Sequence, residues 1–111
     1  MNLKDYVRGW IIGDFEPSVL RTKILDFGVA HFVKGEKHAA HHHKRSTEYN
    51  VVVTGVHIIG DKEYRENDIC IIYPNESVSY ECVETGALAV VKIPTGKGDK
   101  YEDTCVDGGD R

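Results

Sequence analysis

The sequence predicts a single all-β domain, an antiparallel sandwich or barrel, preceded by one short helix. Short segments rich in Val, Ile, Tyr and Phe follow one another along the chain, and these residue types favour strands. Gly, Asn, Asp and Pro separate the segments, an arrangement typical of β-sandwiches and β-barrels. The 111 residues leave room for only one domain.

The N-terminal region, residues 1–24, is predicted to form a short helix and an extended arm. Apolar residues recur there at the helical spacing i, i+3, i+4, i+7: Leu3, Tyr6, Val7 and Trp10. Asn2 is a suitable N-cap for such a helix. A loop should follow, because Pro17 disfavours helical geometry in the residue before it.

The rest of the chain is predicted to consist of strands, with the barrel spanning residues 25–95. The strand segments are 19–22, 27–33, 49–54, 56–59, 68–73, 78–83 and 87–93. The last stretch, residues 96–111, is polar and rich in Gly and Asp, so we expect a loosely held tail there.

Composition argues against several classes of protein. Fourteen Lys and Arg against 18 Asp and Glu give a net charge of −4, which does not suit a nucleic-acid partner. No apolar segment approaches the ~20 residues of a membrane-spanning helix, and the N-terminus lacks a signal-peptide core. We therefore expect a cytoplasmic protein. The three cysteines are far apart, unlike those of a disulfide framework or a zinc ribbon.

Four of the six histidines lie between positions 38 and 43. In a strand, His41 and His43 point to one face and His42 to the other, while His38, three residues before His41, alternates with it. Glu48 begins a segment that can lie beside this strand. Two imidazoles and one carboxylate make a site suited to Fe, Mn, Ni or Zn, with open positions for substrate. His41, His43 and Glu48 are therefore predicted as metal ligands.

The same segment resembles the first sequence motif of the cupin superfamily. The residues that match its fixed positions are Gly35, His41, His43, Glu48 and Gly55. The resemblance implies a small antiparallel β-barrel of the jelly-roll type, which agrees with the series of strands predicted above.

The second cupin motif, which would supply a fourth ligand, is not preserved. Its register falls on Asn67, Tyr73, Asn75, Val78 and Cys82. Val78 stands where the motif has histidine and cannot bind a metal. Glu76 and Tyr80 share its face of the predicted strand, so one of them or a water molecule would take that position. The two asparagines replace glycines and tolerate left-handed backbone geometry.

Three further side chains are candidates for binding substrate: His31, Asn50 and Tyr80. His31 lies among apolar residues and faces either the metal pocket or the core. Asn50 shares a strand face with Glu48, so it can line the pocket and bind a ligand hydroxyl, or serve as a structural hydrogen-bond donor.

These observations lead to two expectations for function. The first is a metal-dependent enzyme of isomerase, epimerase, lyase or dioxygenase type, acting on a sugar-like molecule or a small organic acid. The second is a non-catalytic module that binds a small molecule. The flanking segments 10–17, 90–94 and 99–101 resemble short cupins of bacterial and phage carbohydrate metabolism.

We also expect a homodimer. The N-terminal arm carries more apolar surface than a small barrel would leave exposed, in Tyr6, Trp10, Ile11 and Ile12. A two-fold dimer in which each arm packs on the partner would bury it.

Overall fold

The computed structural model describes residues 1–103, which form two short 3-10 turns and eleven strands. The turns are Leu3–Asp5 and Val7–Gly9. The strands are β1 (Trp10–Gly13), β2 (Leu20–Arg21), β3 (Asp26–Phe32), β4 (Lys37–His42), β5 (Thr47–Val52), β6 (Val56–Ile59), β7 (Lys62–Tyr64), β8 (Ile69–Ile72), β9 (Val78–Glu84), β10 (Gly86–Ile93) and β11 (Tyr101–Glu102).

The described strands form two sheets. The first has the order β2-β1-β3-β10-β5-β8, and the second has the order β11-β4-β9-β6-β7. Neighbouring strands are antiparallel, except for the parallel pair β1 and β2. The all-β prediction is confirmed. The predicted antiparallel β-barrel of jelly-roll type corresponds to these two sheets, and the described strands do not join into one closed barrel.

The hydrophobic core lies between the two sheets. The first sheet contributes Val52, Cys70, Ile72, Leu88 and Val90, and the second contributes Ile59. Partly buried side chains pack against this cluster: Trp10, Phe32, Tyr64, Val78 and Tyr80. On β10 the buried Leu88 and Val90 alternate with less buried neighbours, as the period of two in a strand requires.

The predicted N-terminal helix is wrong, because two 3-10 turns take its place. Asn2 does cap the first turn, and the Asp5 carboxylate accepts a hydrogen bond from the Asn2 backbone N–H at 2.9 Å. The chain then adopts left-handed geometry at Arg8 (φ 52°) and Gly9 (φ 83°), which ends the helical course. A Cβ at Gly9 would overlap the Val29 carbonyl, so the close approach to β3 requires glycine. No helix within residues 1–103 is long and apolar enough to cross a membrane.

The prediction of a loosely held tail is wrong for residues 96–103, which pack against the second sheet and the loop after β4. The Asp99 side chain is fully buried, and its carboxylate accepts hydrogen bonds from the backbone N–H groups of residues 44–46 at 2.9–3.0 Å. β11 pairs with β4 and becomes an edge of its sheet. The remainder of the predicted tail, residues 104–111, lies outside the described residues.

Candidate metal centre

A cavity of about 980 Å³ opens between the two sheets, a volume suited to a small-molecule ligand. Its apolar wall includes Ile59, Ile72, Leu88 and Val90. Its polar lining includes His41, Glu48, Asn50, Lys92 and Lys100. Residues of the two N-terminal turns form part of the rim. The cavity therefore combines a hydrophobic wall with a group of titratable side chains.

A β-bulge in β4 decides which histidines face this cavity. His38 lies opposite Tyr80 of β9, and His41 lies opposite Val78, so three steps along β4 match two steps along β9. The extra residue brings His38 and His41 to the same face, and both line the cavity. The expectation that they alternate is therefore wrong. His38 pairs with the Glu36 carboxylate at 2.9 Å.

His43 follows the end of β4 and is held in one orientation. Its side chain is only 4% exposed, and its Nδ1–H donates a hydrogen bond to the Asp99 carbonyl oxygen at 2.7 Å. In the neutral imidazole this leaves Nε2 with a free lone pair. Nε2 is buried and has no hydrogen-bond partner among residues 1–103, and it lies 3.7 Å from Oε1 of Glu48. A histidine that binds a metal through one ring nitrogen usually donates a hydrogen bond from its other ring nitrogen, often to a carbonyl oxygen, and this bond fixes the orientation of the ring.

The three predicted ligands, His41, His43 and Glu48, are neighbours, but their donor atoms do not converge on one point. The His41 and His43 rings are 5.3 Å apart between centroids and nearly perpendicular. Within residues 1–103, no group of three or more His, Cys, Asp or Glu side chains could hold a metal ion as it stands. The donor types suit a divalent transition metal.

Burial and nearby ammonium groups favour neutral imidazoles in this cluster. Burial lowers the pKa of His41, and Lys100 and His43 lower it further. Burial also lowers the pKa of His43, and Lys92 adds to this effect, while Glu48 opposes it. Both rings are therefore neutral at pH 7, which is the state that binds a metal.

Neither of the two side chains considered as a substitute for the missing histidine supplies a fourth ligand. Glu76 accepts a hydrogen bond from the Tyr73 backbone N–H at 2.7 Å, within its own turn. Tyr80 lines the cavity, but its hydroxyl donates to Nδ1 of His57 at 2.6 Å, because Nε2 of His57 donates to a backbone carbonyl. Val78 lines the cavity opposite His41.

The remaining predicted residues lie in different environments. Asn50 is 2% exposed and lines the cavity, and its Nδ2 donates to the Cys70 carbonyl at 3.4 Å. His31 is exposed at the rim, and its pairing with Ala87 puts it on the face of β3 opposite the core. His31 is therefore not a core residue. His42 points away from the cavity, as predicted, and its Nδ1 contacts the Asp103 carboxylate at 2.8 Å.

Sequence reasoning missed Lys92 and Lys100, the two lysines whose charges act on the histidines. The position of Lys92 could have been identified from the sequence alone. It continues the inward-facing series Leu88 and Val90 at a spacing of two, so a charged residue occupies a position where the pattern predicts an apolar one. Lys100 had no comparable signal in its polar surroundings.

The fold is that of the cupins, also called the double-stranded β-helix. An uncharacterised double-stranded β-helix protein of Klebsiella pneumoniae superposes with a TM-score of 0.67 at 22% identity, covering 94% of this chain and 96% of that protein. An RmlC-like cupin of Shewanella frigidimarina gives a TM-score of 0.59 at 21% identity, covering 66% of this chain and 68% of that one.

A third solved structure of this fold comes from a protein with metal centres. The oxalate decarboxylase of Bacillus subtilis, whose structure was studied for its Mn(II) centres, gives a TM-score of 0.60 at 13% identity. The match covers 73% of this chain but only 24% of that enzyme. Comparison with protein-family models and with curated proteins gives no match. These likenesses establish the fold.

Proposed function

We propose that this chain of cupin fold binds a divalent transition metal through His41, His43 and Glu48, next to a small-molecule cavity. The observation that carries the proposal is the buried Nε2 of His43, which has no hydrogen-bond partner among the described residues. A buried nitrogen with an unused lone pair is costly unless it serves a ligand. The Mn(II) centres of a decarboxylase with the same fold support a metal at such a site. Fe, Mn, Ni and Zn all suit these donors.

As an enzyme, the protein would act on a sugar-like molecule or a small organic acid in the cytoplasm, as part of carbohydrate metabolism. A bound metal would supply Lewis-acid polarisation of a ligand oxygen. Isomerase, epimerase, lyase and dioxygenase reactions are all compatible with it.

The chain's own residues would orient the ligand. Asn50 uses its Nδ2 as a donor to β8, which leaves its Oδ1 to accept a hydrogen bond from a ligand hydroxyl. Tyr80 donates its proton to His57, so its oxygen can only accept. The apolar side chains of the cavity wall would exclude water from the carbon skeleton of the ligand.

A non-catalytic small-molecule-binding module is the second candidate. Two observations favour it: Val78 occupies the place of the fourth ligand, and the three donors of the described structure are not gathered around one point. In this case His41 and Glu48 would be a polar part of the cavity wall, and His43 a buried residue behind them.

Metal titration of untagged, metal-free protein tests the proposal, because a polyhistidine tag would bind metal itself. We expect one equivalent of Mn²⁺, Co²⁺ or Zn²⁺ to bind by isothermal titration calorimetry. His43→Ala and Glu48→Ala should each abolish this binding, since two remaining ligands hold a divalent ion poorly.

His42→Ala is the matched control, because this neighbouring histidine faces away from the cavity, and it should leave metal binding intact. The absence of metal binding at any pH would favour the binding module. Loss of the metal in His42→Ala, with retention in His43→Ala, would show that other residues form the site.

A further inference from the structure

Lys92 is a partly buried cation that makes no ion pair with another of the described residues, 1–103. It lies on the inward face of β10, opposite Glu48 of β5 and Asp26 of β3. The Asp26 carboxylate instead accepts hydrogen bonds from residues 95 and 96. Among residues 1–103, no carboxylate lies within ion-pair distance of Lys92, and its ammonium has no hydrogen-bond acceptor. Its Nζ lies 4.8 Å from the centroid of the Trp10 ring.

This arrangement leaves the three N–H donors of the ammonium available to a ligand. The Trp10 ring offsets part of the cost of burying the charge through a cation–π contact. It accepts no conventional hydrogen bond from the ammonium. An ammonium that lines a cavity and makes no ion pair within residues 1–103 is placed to pair with an anion that enters the cavity.

The charge of the whole cavity lining agrees with an anionic ligand. Four of the lining residues are cationic and two are carboxylates: Lys4, Arg8, Lys92 and Lys100 against Glu36 and Glu48. With neutral histidines, the lining carries a net charge of +2, although the chain as a whole carries −4. A positive cavity in a negative protein concentrates small anions at its mouth.

We propose that the cavity binds a small hydroxy-carboxylate of sugar-acid size, whose carboxylate is held by the ammonium of Lys92. The proposal rests on the same cavity as the proposed function and names its ligand class, but it does not require a metal. Asn50 would accept a hydrogen bond from a ligand hydroxyl, and Leu88 and Val90 would contact the carbon chain. A cavity of about 980 Å³ accommodates a molecule of this size.

The test compares two ligands that differ at one carbon, using metal-free protein from which the chelator has been removed by dialysis. D-gluconate carries a carboxylate where sorbitol carries a hydroxymethyl group. We expect gluconate to bind by isothermal titration calorimetry at low ionic strength, and sorbitol to bind at least tenfold more weakly. Raised salt should weaken gluconate alone.

Lys92→Met keeps the length of the side chain and removes its charge, so it should weaken gluconate at least tenfold. Lys62→Met, on the exposed strand β7 outside the cavity lining, is the matched control and should change nothing. Lys92→Arg keeps the charge and should retain binding, which keeps the proposal testable if Lys92→Met does not fold.

Four outcomes would overturn the proposal: equal binding of gluconate and sorbitol, binding of neither, binding of inorganic phosphate alone, or undiminished gluconate binding by folded Lys92→Met. The same measurements distinguish failure of this proposal from failure of the proposed metal site. Metal binding without gluconate binding would leave the proposed function standing. Gluconate binding without metal binding would leave the anion site standing.

Discussion

At the scale of single residues, the metal proposal depends on one hydrogen bond. The Asp99 carbonyl accepts the Nδ1–H of His43 and thereby selects the tautomer whose Nε2 is unprotonated. The buried surroundings and the ammonium of Lys92 both lower the pKa of His43, which keeps this lone pair free at neutral pH. The chain thus holds one nitrogen donor in the orientation that the proposed metal would require.

These lowered pKa values predict the pH dependence of metal binding. Because His41 and His43 ionise below the ordinary histidine pKa of about 6.5, metal affinity should change little between pH 8 and 6.5. Below the pKa of each ring, affinity should fall by about tenfold per pH unit for each protonated ligand. Titration calorimetry across this range measures the effect. A tenfold loss between pH 8 and pH 7 would contradict it.

The same shifts predict how chelation affects stability. A metal that binds only the folded chain stabilises it by about 2.7 kcal/mol at a hundredfold excess over its dissociation constant. A chelator should therefore lower the melting temperature of metal-loaded protein more at pH 7.5 than at pH 5.5. His42→Ala should show the same difference, and Glu48→Ala should show none. A larger chelator effect at pH 5.5 than at pH 7.5 would be inconsistent with imidazole ligands.

At the scale of elements, the segment after β10 is held in place by one buried carboxylate. Burial of Asp99 opposes ionisation, but three backbone hydrogen bonds from residues 44–46 outweigh it and lower its pKa to about 2. The group thus stabilises the fold above its ordinary pKa of 3.8, and this contribution is lost as the pH falls towards 2. The segment also carries the carbonyl that orients His43.

Asp99→Asn should destabilise the protein and the proposed metal site together. An amide oxygen cannot replace both carboxylate oxygens and turns an NH₂ group towards N–H donors, so the free energy of unfolding should fall by about 3 kcal/mol. Urea denaturation at pH 7 measures this loss, which should shrink towards pH 3. Asp61→Asn, at an exposed position, is the control and should cost less than about 0.5 kcal/mol. A similar small cost at Asp99 would contradict the buried contacts.

Truncation separates the two parts of the predicted tail. Deleting residues 104–111 should leave the melting temperature nearly unchanged, since the Asp99 contacts and β11 remain. Deleting residues 99–111 should lower it by many degrees, because both are removed. Differential scanning calorimetry distinguishes the two variants. A large loss in the shorter deletion would show that residues 104–111 contribute to the fold.

At the scale of the whole molecule, two apolar surfaces are candidates for a dimer interface. In the N-terminal arm, Trp10 packs partly against the core and Val7 is 53% exposed. The outer face of β5, β8 and the residue after β8 exposes a larger group of apolar side chains: Tyr49, Val51, Ile69, Ile71 and Tyr73. β8 is also an edge strand among the described residues, so it can pair with the same strand of a second copy.

We therefore expect a homodimer that pairs through β8. Light scattering should give about 25 kDa, twice the 12.5 kDa of the chain. Ile69→Lys and Ile71→Lys place charges on the outer face and should yield monomers of unchanged fold. Val7→Lys, in the exposed N-terminal turn, is the control and should remain dimeric. A wild-type mass of 12–13 kDa at tens of micromolar would reject the dimer.

The sequence by itself determined the strands and the residues of the cluster, because both depend on local patterns. Alternation of apolar residues predicted most strands to within a few positions, as in 56–59 and 87–93. The left-handed geometry anticipated for Asn67 and Asn75 is present, with φ of 76° and 71°. The His41–His43–Glu48 cluster was predicted because its spacing spans one turn between two strands.

Only the tertiary structure decided how these parts are used. The bulge in β4 turned His38 towards the cavity, and it arises from pairing with β9, about 40 residues away. The burial of Asp99 depends on backbone groups more than 50 residues earlier, so a polar, Gly-rich segment that reads as a tail became part of the site. Lys92 contacts the ring of Trp10, which lies on another strand. Hydrophobic periodicity records which face of a strand is buried, but contacts between distant segments leave no local pattern.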